Sequence, residues 1–308
     1  MMVSPAKYFS AIFFLLVSIC CQAQTIPPEC ETVDEINEIS EVDAVYKKGL
    51  LWKISSKDVE PSYLFGTIHV SDEAITSLPE IVENALDKAD TFVMELVPNQ
   101  ADAMTVSSQM YFSDGQKLNE LVSAELFEEI VRLLVPYHLP REAIKVIKPW
   151  GAFLTMSYPP DFGTVLDLQL MERAKRMNAN IQGLESLHEQ IDIFNSMSTD
   201  KQLRLLRDTA CNHESLEMDF EKMKALYLAR DLQGLISYGS RHSASEDLLY
   251  NELLQKLLID RNYTMTERMQ SVLQKGRAFI AIGAMHLAGD EGVLSLLEKN
   301  HYKISLEY

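Results

Sequence analysis

The stretch YLFGTIHVSDE, residues 63–73, runs apolar up to a glycine, turns, and presents His69 shortly before two acidic residues. A second stretch, FIAIGAMHLAGDE at residues 279–291, repeats this order near the other end of the chain and presents His286. A glycine at the end of a strand lets the backbone turn sharply and approach a neighbour closely. Each histidine therefore follows the carboxyl end of a predicted strand, where open α/β sheets bind their ligands.

The sequence around the two motifs is also alike. Each motif is followed by one predicted helix and then by a second strand with a glutamate, Glu95 in TFVMEL and Glu307 in KISLEY. Strand–helix–strand units of this kind favour parallel strands and right-handed crossovers. If both units share one sheet about a pseudo-twofold, His69 and His286 face each other, with Glu95 beside them. Two imidazoles and a carboxylate suit a catalytic divalent metal ion.

The remaining pattern predicts strands near both ends of the chain and helices between them. Alternating apolar residues and turn signals predict strands at 50–54, 63–68 and 91–97, a helix at 78–89, and a strand and turn at 180–186. We therefore predict an α/β fold of two pseudo-repeat βαβ-like halves that share one sheet, with a large, mainly helical insertion over about residues 99–275. These parts form a single domain over residues 46–308.

The N-terminus has the features of an export signal. Residues 1–23 contain a lysine, a short apolar run and small residues before a predicted cleavage site, which is typical of a secretory signal peptide. The run is too short for a good membrane span, and no later segment is apolar enough to cross a bilayer. Residues 24–45 are polar and acidic, which predicts a loose arm. We expect a periplasmic or secreted protein, with lipid attachment at Cys20 or Cys21 as an alternative.

Composition narrows the function further. The chain has 308 residues, 47% of them hydrophobic, and a formal charge of −17, with no basic cluster dense enough to bind nucleic acid. It lacks the serine-hydrolase elbow, the Walker loop and the His-Glu-x-x-His motif. In an oxidising compartment Cys30 and Cys211 are candidates for a disulfide, and two free thiols are the alternative.

The ordered motifs resemble a known family. The sequences GTIH (66–69) and GAMH (283–286), LWKIS before the first motif, MEL at 94–96, QGLES at 182–186 and RNYTM at 261–265 are similar to those of the TraB/PrgY/GumN family, which includes the Tiki proteases. The resemblance implies an α/β fold of two repeat halves with a helical insertion. It also implies a metal-dependent protease activated by manganese or cobalt.

The resemblance assigns expected roles to single residues. His69 and His286 match the motif histidines that would bind a divalent metal ion, whether manganese, cobalt or zinc. Glu95 would complete the metal shell or act as general base, and Arg261 would stabilise an oxyanion or hold a substrate carboxylate. An ordinary salt bridge on its own helix is the alternative for Arg261. The supporting residues would be Gly66, Gly283, Asp167, Glu185 and Asn262.

These expectations predict an extracytoplasmic metal-dependent hydrolase that acts on a peptide or protein substrate. The mechanistic core is a site of two histidines and one glutamate, formed by the two GxxH motifs. A protein of the same fold that binds or sequesters a peptide without cutting it is the alternative from another functional class.

Overall fold

The computed structural model describes Cys30 and residues 45–160, 163–241 and 247–308. The predicted signal peptide, the possible lipid sites Cys20 and Cys21, and most of the predicted arm lie outside the described residues. The described chain forms two compact units. One contains Cys30 and the described parts of 98–162 and 187–221; the other contains the described parts of 38–97, 163–186 and 222–308.

The described residues form six strands and fourteen α-helices in the ranges that follow. The strands are β1 Leu51–Ser56, β2 Val59–Thr67, β3 Thr91–Met94, β4 Asn180–Gly183, β5 Ala278–Gly283 and β6 Lys303–Leu306. The helices are α1 Glu73–Thr76, α2 Glu80–Asp87, α3 Gln100–Gln109, α4 Ala124–Leu134, α5 Arg141–Val146, α6 Pro149–Met156, α7 Leu166–Arg176, α8 Leu187–Asn195, α9 Thr199–Cys211, α10 Leu216–Leu228, α11 Leu232–Gly239, α12 Leu248–Leu254, α13 Asp260–Leu273 and α14 Val293–Lys299.

All six strands belong to one mixed sheet in the order β4-β3-β5-β2-β1-β6, which confirms the predicted α/β class. Strands β3 and β2 flank β5 and run parallel to it, although they are far from it in sequence. Strand β1 is antiparallel to both β2 and β6, so β6 runs in the same direction as β2 and β5. The strands that precede the two GxxH histidines are therefore direct neighbours. The internal pseudo-repeat itself stays a prediction.

The central strand β5 has the composition of a strand covered on both faces. Its sequence AFIAIG is buried throughout, as expected for parallel strands that carry helices on both sides of a sheet. The Phe279 ring lies 5.9 Å from the Phe65 ring and 6.2 Å from the Phe92 ring, measured between centroids. This aromatic group joins β2, β5 and β3 in the core.

A π-helical turn, Gln255–Ile259, lies between α12 and α13. Helical spacing continues through residues 246–275 of the sequence, at the end of the predicted helical insertion, and gives no sign of this turn. Such turns are often found at functional sites, because the extra residue shifts the side chains that follow it. Here the turn comes immediately before Asp260 and Arg261, at the start of α13.

The other unit is helical and contains a disulfide. Trp150 is fully buried and its ring lies 6.4 Å from that of Phe194, which packs α6 against α8. Cys30 and Cys211 form a disulfide, with their Cα atoms 5.5 Å apart. Within the described ranges, no helix has both the length and the apolar composition needed to cross a membrane.

Candidate active site

The two GxxH loops lie side by side at the carboxyl ends of β2 and β5. Thr67 pairs with Gly283 in the parallel register of these strands. A Cβ atom on Gly66 would lie 2.7 Å from Cδ1 of Leu287 and 3.1 Å from Cα of Ala284. Any larger residue would have to displace the Leu287 side chain and crowd the backbone of Ala284, so the close packing of the second loop favours glycine at this position.

The first histidine is held by a carboxylate. His69 is 8% exposed, and its Nδ1 lies 2.9 Å from Oδ2 of Asp167, which is in the first turn of α7. The hydroxyl of Thr67 donates to the other carboxylate oxygen at 2.6 Å. Burial alone would lower the pKa of His69, but the Asp167 charge and hydrogen bond raise it above its usual value. Burial opposes the same interaction in Asp167, whose pKa is nevertheless lowered by His69 and Thr67.

The second histidine is held by an amide. His286 is fully buried in the 3-10 turn that ends the motif, and its Nδ1 lies 2.5 Å from Oδ1 of Asn262. The Asn262 Nδ2 donates to the carbonyl of Glu291 at 2.8 Å, which fixes the orientation of the amide. Burial, followed by the positive charges of Arg261 and His69, holds the pKa of His286 well below its usual value.

Glu95 connects the second loop to a buried arginine. Directly after β3, its Oε1 accepts a hydrogen bond from the backbone N–H of Gly283 at 2.7 Å. The same oxygen lies 3.8 Å from Nε2 of His286. Its Oε2 accepts from Nη2 of Arg261 at 2.6 Å. The strand end and the guanidinium therefore hold this carboxylate with one oxygen facing the second histidine.

Arg261 pairs with two carboxylates at once. Its Nε donates to both carboxylate oxygens of Glu185 at 3.0 Å, and its Nη2 donates to Oε2 of Glu185 at 2.6 Å. Nη1 donates to the carbonyl of Leu257 in the π-helical turn at 3.2 Å. Burial would lower the pKa of Arg261, but Glu95 and Glu185 raise it, so the guanidinium stays charged. These contacts favour a role in holding Glu95; direct contact of Arg261 with substrate stays a prediction.

The imidazole nitrogens and carboxylate oxygens of the site are of the types that bind divalent ions, but no three of these side chains in the described residues are positioned to bind one ion together. Ionised Asp167 and the Asn262 carbonyl oxygen can only accept, so both histidines carry a proton on Nδ1, and the neutral form of each has its lone pair on Nε2. Histidine ligands of metals are usually oriented by such a bond from the other ring nitrogen. However, no three His, Cys, Asp or Glu side chains of the described residues are placed to hold one ion together.

Sequence reasoning missed the role of Thr67. Its hydroxyl binds the same carboxylate as His69, so it fixes Asp167 from the second oxygen. The signal was present in GTIH, because side chains two positions apart in an extended segment point to one side. Of the residues predicted to support the site, the structure brings Asp167, Glu185 and Asn262 into it.

The sequence of this chain is similar to those of several known proteins, among them two metalloproteases. Metalloprotease TIKI2 of Danio rerio is 25% identical over 312 residues, which cover 82% of this chain and 60% of that protein. Metalloprotease TIKI1 of the same organism is 23% identical over 358 residues, which cover 99% of this chain and 70% of that protein. The protein YbaP of Escherichia coli is 22% identical over 244 residues, 76% of this chain and 87% of YbaP.

The chain thus spans about 60% of the length of TIKI2, and similarity at this level does not transfer that protein's activity. The sequence model of the TraB/PrgY/gumN family matches residues 50–306 of this chain. This range includes all six strands and both GxxH loops. This chain therefore belongs to the TraB/PrgY/gumN family.

Proposed function

We propose that this protein is an extracytoplasmic metal-dependent hydrolase that cleaves peptide bonds. The observation that carries the proposal is the pair of buried histidines on adjacent loops, His69 and His286, whose Nδ1 atoms both face oxygen acceptors. This arrangement supports Nε2 of each neutral imidazole as a metal-binding atom. Similarity to proteins named metalloproteases supports a metal-dependent protease, and the signal-like N-terminus supports action outside the cytoplasm.

The residues would divide the work as follows. His69 and His286 would hold a divalent ion such as manganese, cobalt or zinc, and the donor types do not select among these. When bound, such an ion polarises a substrate carbonyl and makes water more acidic. Glu95 would accept a proton on Oε1 as general base, or bind the ion with that oxygen after a small rotation. Arg261 and the Gly283 N–H keep that carboxylate in place.

The carboxylates of the site support a cation. Glu95 and Glu185 contact the guanidinium of Arg261, and Asp167 contacts His69. Carboxylate oxygens and imidazole nitrogens are both donor types that divalent ions accept.

A second candidate is a protein that binds a peptide without cutting it. It is favoured by the lack, among the described residues, of three side chains ready to share one ion. In that case the histidines and Glu95 would stabilise the two loops, and any metal ion would act as a structural clasp.

The test is incubation of the mature protein with a varied peptide pool, with and without added manganese, followed by mass spectrometry. The proposal predicts new fragments with manganese, and none with a chelator or in the His286→Gln variant. Peptides that are retained on the immobilised protein but stay intact under every condition would support the binding protein instead.

A further inference from the structure

The segment that carries His69 is held at both of its ends by the same helix. The hydroxyl of Tyr227 in α10 donates to the carbonyl of Gly66 at 2.9 Å, at the start of the GTIH motif. The Nζ of Lys224 lies 2.8 Å from Oδ2 of Asp72, at the end of the loop. Residues three apart lie on one face of a helix, so one face of α10 contacts both ends of the His69 loop.

The Gly66 carbonyl lacks the usual partner in the sheet. The Gly66 N–H donates to the carbonyl of Leu50. Leu50 immediately precedes β1 and lies opposite Gly66 in the antiparallel register of β1 and β2. In an antiparallel pair of this type the opposite residue returns the bond. Here the Leu50 N–H donates instead to the carbonyl of Tyr308, at 2.6 Å. The carbonyl of Gly66 therefore takes its hydrogen bond from the Tyr227 side chain at the point where β2 gives way to the loop.

The surroundings of Tyr227 keep it a donor. The residue is 3% exposed, and burial, with the nearby charges of Asp167 and Tyr308, raises its pKa well above the usual value. The phenol therefore stays protonated at neutral pH and can donate to the Gly66 carbonyl.

The contact at the other end of the loop is different in kind. The Asp72 side chain also accepts from the backbone N–H of Ala74 and so caps the short helix α1. Lys224 and Asp72 are partly exposed, with side-chain exposures of 22% and 33%, so this ion pair is the weaker of the two contacts. Tyr227 is the main anchor, and Lys224 limits the freedom of the far end.

We propose that Tyr227 is a positioning residue, which fixes the Gly66 carbonyl and thereby sets the place and orientation of the His69 imidazole, with Lys224 assisting. The importance of that orientation for hydrolysis rests on the proposed function, but the positioning itself does not. Tyr227 donates its hydrogen bond to the first loop, whereas His286 is held by Asn262 of α13, so we expect the effect to be confined to His69.

The experiment compares Tyr227→Phe with wild type by NMR of protein labelled with 15N in histidine, at constant pH and without metal. Tyr302→Phe is the matched control, because it removes a hydroxyl that donates to Gln270, away from both loops. We expect the ring signals of His69 to shift in Tyr227→Phe while those of His286 stay in place, and neither to shift in the control. The manganese dissociation constant should rise about 10-fold, which is the low end for a residue that acts through a ligand.

A folded Tyr227→Phe protein whose His69 signals match wild type would overturn the proposal. If this variant does not fold, Lys224→Met decides the question, since this side chain is near the surface. Faster amide hydrogen exchange across residues 66–72 than in wild type would support the proposal that α10 holds this loop, and unchanged exchange would overturn it.

The positioning of His69 by Tyr227 and the proposed hydrolysis can be disproved separately. If the His69 signals shift as expected but wild type cleaves no peptide with any metal, the positioning stands and the proposed reaction falls. If wild type cleaves peptides with manganese and Tyr227→Phe leaves His69 unchanged, only the positioning falls.

Discussion

The two GxxH loops share a backbone plan but hold their histidines with different partners. In the first loop a carboxylate, Asp167, faces Nδ1 of His69. In the second loop a neutral amide, Asn262, faces Nδ1 of His286. The charge and hydrogen bond of Asp167 raise the pKa of His69 against the effect of burial, whereas burial, followed by the charges of Arg261 and His69, lowers the pKa of His286.

The difference shows that a motif places a histidine but does not set its chemistry. The acceptor for the first loop comes from α7, 98 residues further along the chain, and the acceptor for the second comes from α13, the helix that precedes β5. One loop is therefore suited to tolerate positive charge, and the other to keep a neutral imidazole. A bound divalent ion would lie between unlike environments.

The largest expected effect comes from removing either histidine. His69→Ala and His286→Ala should each lower manganese-dependent peptide hydrolysis by about 10²–10⁴-fold, the range for loss of an essential group at the reacting centre. His188→Ala removes an exposed histidine and should leave the rate unchanged. Initial rates with excess peptide give the comparison. If one histidine variant kept full activity, the two loops would not act in one site.

The next effect is on stability and concerns the carboxylate beside the second loop. Arg261→Met leaves the buried carboxylates of Glu95 and Glu185 without their counter-ion, and should lower the free energy of unfolding by about 3–5 kcal/mol. The matched control is Arg173→Met, which removes an exposed pairing with Glu83 and Asp87 and should cost about 1 kcal/mol or less. Urea unfolding followed by circular dichroism measures both. Equal losses of unfolding free energy in the two variants would show that burial does not make the Arg261 ion pairs more important for stability than those of Arg173.

A reciprocal exchange of partners tests the comparison directly. Asp167→Asn gives the first loop an amide, and should lower the pKa of His69. Asn262→Asp gives the second loop a carboxylate, and should raise the pKa of His286. Each should weaken manganese binding by about 10- to 100-fold, as for other residues that orient ligands. NMR titration of the ring protons measures the pKa changes, and shifts of the same sign in both variants would contradict the account.

The smallest effect is a difference in pH dependence of the metal-free protein. His286 has a depressed pKa when folded, so its contribution to stability should fall as the pH drops below about 6.5, where the unfolded chain takes up the proton. His69 has a raised pKa, so its contribution should be full below about 6.5 and be lost as the pH rises through its folded value. Unfolding free energies of wild type, His69→Gln and His286→Gln between pH 5 and pH 8 should therefore give differences of opposite slope.

Much of the fold was predictable because it depends on local patterns. Apolar strands, glycine turns and helical spacing indicated the α/β class, and the likeness of the two ends indicated that both histidines follow neighbouring strands. The register of Thr67 with Gly283 agrees with this expectation. The interruption of the long helix before Arg261 was not predictable, since the apolar spacing continues through it and only packing selects the π-helical turn.

The partners of the site residues were less accessible. Asp167, Glu185 and Asn262 were identified by resemblance to a family, and their partners follow from the way that distant helices cross the carboxyl edge of the sheet. Tyr227 belongs to no motif, and a tyrosine at a helical apolar position is usually interpreted as core packing. Only the structure shows that its hydroxyl donates to the Gly66 carbonyl.

The most direct test of the central claim, that the two loops bind one metal ion, is metal content by mass spectrometry. Wild type, His69→Ala and His286→Ala should be purified without chelator, supplied with manganese or cobalt, and checked for folding by circular dichroism. We expect about one ion per wild-type chain, in keeping with a single catalytic site, and its loss in both folded variants. A wild type without stoichiometric metal, or variants that both retain it, would contradict the claim and favour the peptide-binding protein.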